Sequence, residues 1–404
     1  MDHPDIDQFI AAERLYGASN YLPLPVVLTR AEGCHVWDIE GRRYLDMMSA
    51  YSAVSHGHLH PRLVAAMRDQ AERIAVLSRA YYSDQLAPFL EAACKLTGMD
   101  KALPMNAGVE AVETGIKVAR KWAYEIKGVA ENRAEIIACH GNFHGRTIAA
   151  IAMSSEAKYR HNFGPFPPGF ELVDFGDPAA LEAAITPNTA AFLVEPIQGE
   201  GGIIIPPDGY LAECATICRR HNVLLFCDEI QTGLGRTGRL LACDYDGIRP
   251  DGLILGKALG GGIYPVSMLL TRKDVLGLLT PGDHGSTFGG NPLAAAIGLE
   301  ALNVLLDEDL IANSAAMGER LATGLRNLNS LLITGVRARG LLIGVEIDPR
   351  KATARAVCEK LMDHGILTKE THQTVVRLAP PLVIDAASID WAIERIGVTL
   401  NELA

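Results

Sequence analysis

Long hydrophobic runs, blocks of basic residues and paired cysteine motifs are all missing from this sequence. No apolar run approaches the roughly 18 residues that a membrane-spanning helix needs, and the acidic first segment, MDHPDIDQ, resembles neither a signal peptide nor a transit peptide. We therefore expect a soluble, cytoplasmic protein without a membrane partner. The net charge is −11 and there is no basic block, which argues against nucleic acid as a partner. The expected ligand is a small molecule.

The cysteine pattern is not that of a metal centre. The cysteines are scattered through apolar segments without a CxxC pair, so we expect reduced core residues. Cys214 and Cys218 share a predicted helix face, but no matching histidine pair lies near them in the sequence. The histidine cluster HGHLHP at 56–61 suits a strand-to-helix junction whose imidazoles bond the backbone, with metal binding as the alternative. The eight cysteines are Cys34, Cys94, Cys139, Cys214, Cys218, Cys227, Cys243 and Cys358.

The middle of the chain predicts a doubly wound α/β fold. The 404 residues, 49% of them hydrophobic, suffice for two domains or for one large domain with an appendage. Between residue 101 and about residue 300, strand-like and helix-like segments alternate as in a mostly parallel sheet covered by helices on both faces. The predicted strands are 102–105, 136–139, 191–194, 223–227, 253–255 and 266–270. The predicted helices are 110–127, 147–154, 178–184, 209–221 and 292–306.

The two ends of the chain predict smaller α+β units. A helical pattern at 5–16 precedes short alternating runs with hairpin turns at Glu32-Gly33 and Glu40-Gly41, and helical periods follow at 61–79 and 83–96. The end of the chain predicts strands in ITGVRARGLLIGVEI and VVRLAPPLVI, and helices at 351–364 and 386–402. We expect a large ligand-binding domain at 61–300. The segments 1–60 and 301–404 are expected to form the small domain.

Two strand-like runs end next to reactive side chains. The apolar run 224–227 leads to Asp228, and the run 253–255 leads to Lys257. In parallel sheets, ligands bind at the edge formed by the carboxyl ends of the strands. A buried Asp can keep a pyridine nitrogen protonated, and a lysine with a lowered pKa can form a Schiff base and then shuttle a proton. Pyridoxal 5'-phosphate (PLP) fits this pair, whereas a turn-capping Asp and a solvated Lys are the alternative.

Two loops offer groups for the phosphate and the ring of such a cofactor. Gly108 and Val109 follow a predicted strand and begin a long helix, where free amides bind phosphate or simply make a turn. In GNFHGRT, 141–147, Phe143 suits stacking on a planar ring and Arg146 suits a carboxylate. A core Phe and a solvated Arg are the alternatives at these two positions.

Two further positions carry polar groups in unusual surroundings. Ser286 and Thr287 lie just ahead of a glycine pair and a helix, where a hydroxyl can bond phosphate, although Asn291 can cap the helix without any ligand. Arg377 lies within an apolar strand-like run. Because burying an unpaired arginine is costly, we expect an acidic partner for it.

Six motifs together resemble a known family. In chain order they are NAGVEA, GNFHGRT, VEPIQGEGG, DEIQTGLGRTG, GKALGGG and HGSTFGGNPL, and they are similar to those of the class-III PLP-dependent aminotransferases that act on ω-amino groups. The resemblance covers essentially the whole chain. It implies a fold-type-I homodimer, with higher oligomers left open, whose two active sites lie at the subunit interface and are shared by both chains.

Within this family, the resemblance is strongest to the branch that acts on ornithine. The segments that carry it are NYLPLPVVL, SAYSAVSHGH, GVEAVETGIKVARKWAY and HGSTFGGNPL. It implies transfer of the δ-amino group of ornithine to 2-oxoglutarate, with PLP as cofactor. Carried over by motif, the cofactor residues are Lys257 for the Schiff base, Asp228 for the pyridinium nitrogen, Gln231 for the ring hydroxyl, Phe143 for ring stacking, Gly108 and Val109 for the phosphate, and Thr287 for the phosphate of the other subunit.

The resemblance also implies how the substrates bind. Tyr21, Tyr51 and Arg146 would contact the α-amino and α-carboxylate end of ornithine. Glu200 would pair with Arg377 in the first half-reaction and release it to bind the α-carboxylate of 2-oxoglutarate in the second. One position departs from part of the branch, which has tryptophan where this chain has His144, as the acetylornithine relatives more often do.

Two other readings compete with ornithine transamination. On the same scaffold, N-acetylornithine or 4-aminobutyrate is the alternative amino donor, against which Tyr21 and Tyr51 argue because a free α-amino group needs polar partners. A non-catalytic regulator on the same fold is the second alternative. The presence of Lys257, Asp228 and Arg377 argues against it, since a protein that has lost its activity has no need to keep buried charges.

Overall fold

The structure, a computed structural model, describes residues 6–404, in which three β-sheets are surrounded by helices. The strands are β1 Leu28–Glu32, β2 His35–Asp38, β3 Arg43–Asp46, β4 Lys101–Met105, β5 Glu135–Cys139, β6 Phe170–Val173, β7 Thr189–Val194, β8 Leu224–Asp228, β9 Gly252–Leu255, β10 Ser267–Thr271, β11 Ile333–Arg339, β12 Leu342–Ile347, β13 Ile366–Leu367, β14 Lys369–Thr371 and β15 Val375–Leu378. The helices are Ile6–Tyr16, Pro61–Ala71, Leu86–Thr97, Gly108–Trp122, Ile148–Ala152, Ala157–Arg160, Pro178–Ala184, Tyr210–Arg220, Lys273–Leu276, Pro292–Asp307, Leu310–Arg326, Ala354–Asp363 and Ala386–Leu403. None of the helices in this described part is long and apolar enough to cross a membrane.

The central sheet has seven strands in the order β4-β10-β9-β8-β7-β5-β6. Only β10 is antiparallel to its neighbours, and the other pairs are parallel. The predicted doubly wound, mostly parallel α/β sheet is therefore confirmed. Because β4, β5, β7, β8 and β9 run in one direction, the loops that follow them all leave the sheet at the same edge.

Both faces of this sheet are buried. Along β8, Leu224 and Phe226 belong to one apolar core, whereas Leu225 and Cys227 belong to the core on the opposite face. Every residue of β7 and β8 is buried. Strands covered on both faces read as continuous apolar runs, which is why the sequence pattern identified them.

The two smaller sheets are built from the ends of the chain. One has the order β1-β2-β3-β13 and contains the predicted hairpins, and its last strand comes from near the end of the chain, where Ile366 pairs with Leu45. The other has the order β11-β12-β15-β14. The N- and C-terminal segments thus share a sheet, while the boundaries at residues 60 and 300 remain a prediction.

Some predicted elements differ from the structure. The helix expected at 61–79 ends at Ala71, because the chain then becomes extended and the Ala75 carbonyl accepts a hydrogen bond from the Leu293 amide at 3.2 Å. The edge strand β6 was not predicted, since it is only partly buried and its pattern is weakly apolar. Strands β13 and β14 are too short to be recognised from periodicity. The helix predicted at 5–16 is present from Ile6, and residue 5 and the start of the acidic segment lie outside the described residues.

The histidine cluster is structural, and only one of its side chains bonds the backbone. His56 Nε2 lies 2.9 Å from the Ala301 carbonyl oxygen, as expected for a junction. His58 and His60 instead contact the carboxylates of Asp46 and Glu308, at 2.8 and 3.1 Å. Within residues 6–404, no group of three or more His, Cys, Asp or Glu side chains is placed to hold a metal ion.

Two buried helical glycines test how closely the helices pack. A Cβ at Gly318 would lie 2.2 Å from the backbone carbonyl of Gly340, and backbone cannot move aside cheaply. We expect Gly318→Ala to destabilise the protein by about 1–3 kcal/mol or more. At Gly115, the nearest atom to a Cβ is a ring carbon of Phe226 at 3.4 Å, so Gly115→Ala should be neutral or stabilising by up to about 1 kcal/mol. Equal melting temperatures of the two variants would contradict this packing.

Candidate active site

The carboxyl-end edge of the central sheet brings Asp228 and Lys257 together. Asp228 is the last residue of β8 and is 4% exposed. Lys257 follows the neighbouring parallel strand β9 by two residues and is half-buried. The backbone of Lys257 has φ +46°, in the left-handed region that a lysine rarely adopts. Strain of this kind at a reactive side chain is typical of functional sites.

Asp228 is held by an imidazole and an amide. Its Oδ2 lies 2.7 Å from Nδ1 of His144, and its Oδ1 accepts from the Ile230 amide at 3.1 Å. Burial opposes protonation of His144, but the hydrogen bond to Asp228 and the charge of that carboxylate outweigh it, so the pKa of His144 is raised. The contact with Asp228 therefore favours the protonated form of the His144 imidazole. His144 Nε2 is buried and has no partner among residues 6–404.

Lys257 has an amine that loses its proton easily. Burial lowers its pKa from 10.5 to about 8, although the negative charge of Glu200 opposes the shift. A lysine that is partly neutral near pH 7 can act as a nucleophile or as a base. This property fits the requirement for a Schiff-base lysine.

A second buried carboxyl group lies close to Asp228. Glu195 directly follows β7, and its Oε2 accepts from the Phe143 amide at 2.9 Å. Burial raises its pKa to about 7, and the charge of Asp228 acts in the same direction while His144 opposes it. Glu195 is therefore largely protonated only below about pH 7, and its bond to the Phe143 amide fixes the start of the Phe143 loop.

The start of the helix Gly108–Trp122 presents free amides. Glu110 Oε2 accepts from the amides of Asn106 and Ala107 at 2.8 and 2.9 Å, which leaves the amides of Gly108 and Val109 without an acceptor within residues 6–404. Two free amides at a helix N-terminus suit a phosphate. A Cβ at Gly108 would lie 2.9 Å from Ile230 Cδ1, so this end of the helix packs against the residues just after Asp228.

The loop after β5 places Phe143 beside the same helix. Gly145 has φ +125°, and a Cβ there would lie 2.3 Å from Val109 Cγ2, so only glycine allows this approach. Phe143 is half-buried and packs edge-on against Tyr159, with ring centroids 6.1 Å apart. The exposed Arg146 guanidinium lies 3.7 Å from the centre of the Tyr159 ring. Phe143 and Arg146 thus lie on one side of the site.

Arg377 and Glu200 form a buried ion pair. Arg377 Nη1 lies 2.7 Å from Glu200 Oε1, and Arg377 is 2% exposed. Burial alone would raise the pKa of Glu200, but the charge of Arg377 dominates and holds that pKa at about 2. Gln231 Nε2 donates to the same carboxylate at 3.4 Å, while Gln231 Oε1 is buried without a partner among the described residues. The expected acidic partner of Arg377 is therefore present.

Tyr51 covers this ion pair from a strained turn. The Arg377 guanidinium lies 5.0 Å from the centre of the Tyr51 ring. The four consecutive residues Ser49–Ser52 all have φ between 43° and 77°. None of them is glycine, and each left-handed residue of this kind costs roughly 1–2 kcal/mol. The surrounding structure must hold the turn in place.

Two predicted site residues lie at the margin of this cluster. Tyr21 is 72% exposed, and its ring centre lies 5.7 Å from Lys369 Nζ. Thr287 is exposed on a loop that lines a shallow cavity with Ser78 and Arg79, and among the candidate residues only Ser286 lines that cavity with it. Neighbouring Ser286 is engaged within the chain, since its Oγ accepts from Asn106 Nδ2 at 3.1 Å.

The structure adds two polar residues to which the sequence assigned no function. In the sequence, Glu195 is only a member of the motif VEPIQGEGG, and His144 stood out only as a departure from part of the family. Their contacts link loops that are far apart in sequence, for example His144 and Asp228, which local patterns do not reveal. Their position in the sequence could have identified them, because both residues follow strands that end at the ligand-binding edge.

Comparison with known proteins gives one consistent family. The profile of the family Aminotransferase class-III matches residues 16–400. The ornithine aminotransferase of Bacillus subtilis (strain 168) is 57% identical over 386 residues, which cover 96% of each chain.

Solved structures agree with this family. An ornithine aminotransferase of Toxoplasma gondii, described with partial occupancy of PLP at its active site, is 46% identical with a TM-score of 0.98, covering 100% of this chain and 95% of that one. An acetylornithine aminotransferase of Elizabethkingia anophelis is 45% identical with a TM-score of 0.90, covering 98% of this chain and 99% of that one.

The raised pKa of Glu195 predicts a pH-dependent stability. Below its ordinary pKa of 4.5, the carboxyl is neutral in the folded and unfolded states. As the pH rises towards about 7, this carboxyl ionises in the unfolded chain but not in the folded protein. The wild type therefore loses stability relative to Glu195→Gln, by about 3 kcal/mol in total. The free energy of unfolding of Glu195→Gln, relative to that of the wild type, should therefore be higher at about pH 8 than at about pH 5. The exposed Glu131→Gln is the control, and a pH-independent difference for Glu195→Gln would contradict burial of an acid.

Proposed function

Because the chain belongs to the class-III aminotransferases, a PLP-dependent family of fold type I, we propose that it is an ornithine aminotransferase. It transfers the δ-amino group of L-ornithine to 2-oxoglutarate. The products are glutamate and glutamate 5-semialdehyde, which cyclises to pyrroline-5-carboxylate. The observation that carries the proposal is the buried Glu200–Arg377 pair under Tyr51, which gives one pocket both charge states that the two substrates require.

The residues at the sheet edge fit PLP. The Gly108 and Val109 amides are available to its phosphate, and the unpartnered Gln231 Oε1 to its ring hydroxyl. Asp228 would hold the pyridinium nitrogen, and Phe143 would lie against the ring. When bound, PLP reacts through its aldehyde with amino groups and withdraws electrons from the carbon next to the nitrogen.

The protein's own groups hold and move the protons. Asp228 would keep the proton on the pyridine nitrogen, and the hydrogen bond from His144, 2.7 Å away, stabilises the carboxylate form of Asp228. Lys257, whose pKa is lowered to about 8, would accept a proton from the δ-carbon of ornithine and donate it to a second carbon, so that the amine itself ends the shuttle unchanged. The raised pKa of Glu195, about 7, reduces the negative charge beside Asp228.

The substrate half of the pocket has to accept a cation and then a dianion. Tyr21, Tyr51 and Arg146 bind the α-amino and α-carboxylate groups of ornithine. While Glu200 neutralises Arg377, the Arg377 guanidinium does not repel the ornithine amine. In the second half-reaction Glu200 and Arg377 separate, and Arg377 then binds the α-carboxylate of 2-oxoglutarate.

The active form is a homodimer with shared sites, in our proposal. Thr287 is exposed, and the same surface carries large apolar side chains that this chain does not cover, Val76, Tyr81, Tyr82 and Phe288. Exposed apolar patches of this kind mark interfaces. Thr287 would contact the phosphate in the other subunit. Assembly beyond a dimer and the expected cytoplasmic location stay predictions.

N-acetylornithine remains the nearest competing donor. His144, the residue that pointed towards it, contacts Asp228 and therefore belongs to the cofactor half of the site. The presence of histidine at this position therefore says little about whether the α-amino group of the substrate is free or acetylated. Tyr51, which faces Arg377, is the more informative position and favours a free α-amino group.

Substrate turnover tests the function directly. We expect kcat/KM for ornithine to exceed that for N-acetylornithine by more than about tenfold, because acetylation replaces a charged ammonium group with three N–H donors by a neutral amide with only one. Lys257→Ala should abolish transamination, whereas Lys273→Ala, at an exposed position, should retain it. A preference of more than about tenfold for N-acetylornithine would contradict the substrate assignment.

A further inference from the structure

The strained turn that carries Tyr51 is held by a second buried arginine, Arg236. Its side chain is fully buried, and its Nη2 donates to Ser49 Oγ at 3.0 Å and to Ser55 Oγ at 2.9 Å. Ser49 begins the left-handed turn, and the Ser55 hydroxyl in turn donates to the Ser52 carbonyl at the end of the turn. One guanidinium nitrogen therefore ties both ends of the turn.

The other side of the same guanidinium binds the segment that follows Arg377. Arg236 Nη1 donates to the carbonyls of Pro380 and Leu341, at 2.5 and 3.1 Å. Pro380 lies three residues after Arg377. Ser49 Oγ adds a direct link by donating to the Ala379 carbonyl at 2.7 Å. Arg236 thus fixes the turn with Tyr51 relative to the strand with Arg377.

Stability alone does not explain a cation at this position. Arg236 contacts carbonyl and hydroxyl oxygens but no carboxylate of the described chain, and its Nε has no partner there. Burial lowers its pKa to about 9, which reflects the penalty for placing this charge in the interior. Buried charges are often no more stabilising than apolar groups of the same shape, and some of them instead specify one conformation.

We propose that Arg236 is a positioning residue for substrate selection, because it holds the left-handed turn Ser49–Ser52 so that Tyr51 stays over Arg377. The inference rests on the proposed function, in which Tyr51 contacts the α-amino end of ornithine. Loosening the turn weakens recognition of that end. It leaves Lys257 and Asp228, on the edge of the central sheet, unchanged.

The test removes the hydroxyls that Arg236 binds and keeps the arginine. Ornithine is compared with 5-aminopentanoate, which has the same chain and reacting amine but no α-amino group. We expect S49A/S55A to lower the ratio of kcat/KM for ornithine to that for 5-aminopentanoate by about tenfold, with little loss on 5-aminopentanoate. Ser314→Ala is the control, because this buried hydroxyl donates to the Arg236 carbonyl at 3.0 Å and does not touch the turn. If the double variant does not fold, S55A alone carries the test.

A double-mutant cycle separates positioning from general destabilisation. In a Tyr51→Ala background, S49A/S55A should have no further effect on the ratio, because the side chain that the turn positions is gone. An equal fall of the ratio with and without Tyr51, or the same fall in Ser314→Ala, would overturn the inference. A wild-type protein that does not turn over ornithine would contradict both the proposed function and this inference. If the enzyme is active but the serine and Tyr51 substitutions change the ratio independently of each other, only this inference is contradicted.

Discussion

Arg377 carries its charge inside the protein, and compensation of that charge organises the substrate half of the site. Glu200 is brought to it from the loop after β7, at 2.7 Å. The Thr371 hydroxyl, from the neighbouring strand β14, donates to the Glu200 backbone carbonyl at 2.6 Å and fixes that loop. Tyr51 covers the guanidinium from the N-terminal part of the chain. A buried arginine without these partners would be strongly destabilising, so three distant segments must meet at one point.

The cofactor half of the site obeys a related constraint. In the proposed function, the buried Asp228 faces the pyridine nitrogen, and the charge and hydrogen bond of Asp228 raise the pKa of His144, 2.7 Å away. Burial raises the pKa of Glu195, close by, to about 7. The three groups follow β8, β5 and β7, whose carboxyl ends meet at one edge of the sheet. Sheet topology and charge compensation together place Lys257 next to a site that suits a protonated pyridine ring.

Much of this arrangement could be predicted from the sequence, because it depends on local patterns. Fully buried strands such as β7 and β8 are continuous apolar runs, and the residues just after them belong to the ligand-binding edge. Conformations imposed by the tertiary structure could not be predicted. Nothing in the sequence of the segment Ser49–Ser52 indicates four consecutive left-handed residues. Arg236 lies in a glycine-rich loop, where a solvated arginine would be the ordinary expectation. The contact of His144 with Asp228 likewise exists only in the folded chain.

Charge compensation at Arg377 can be tested with one substitution. Glu200→Gln keeps the shape of the side chain and removes the charge that pairs with Arg377 at 2.7 Å. The freed guanidinium should repel the cationic ornithine and attract the α-carboxylate of glutamate. The decisive measurement is the ratio of kcat/KM for ornithine to that for glutamate as amino donors. We expect this ratio to fall by about tenfold or more in Glu200→Gln. An unchanged ratio, with both donors slowed equally, would contradict a selective role for the ion pair.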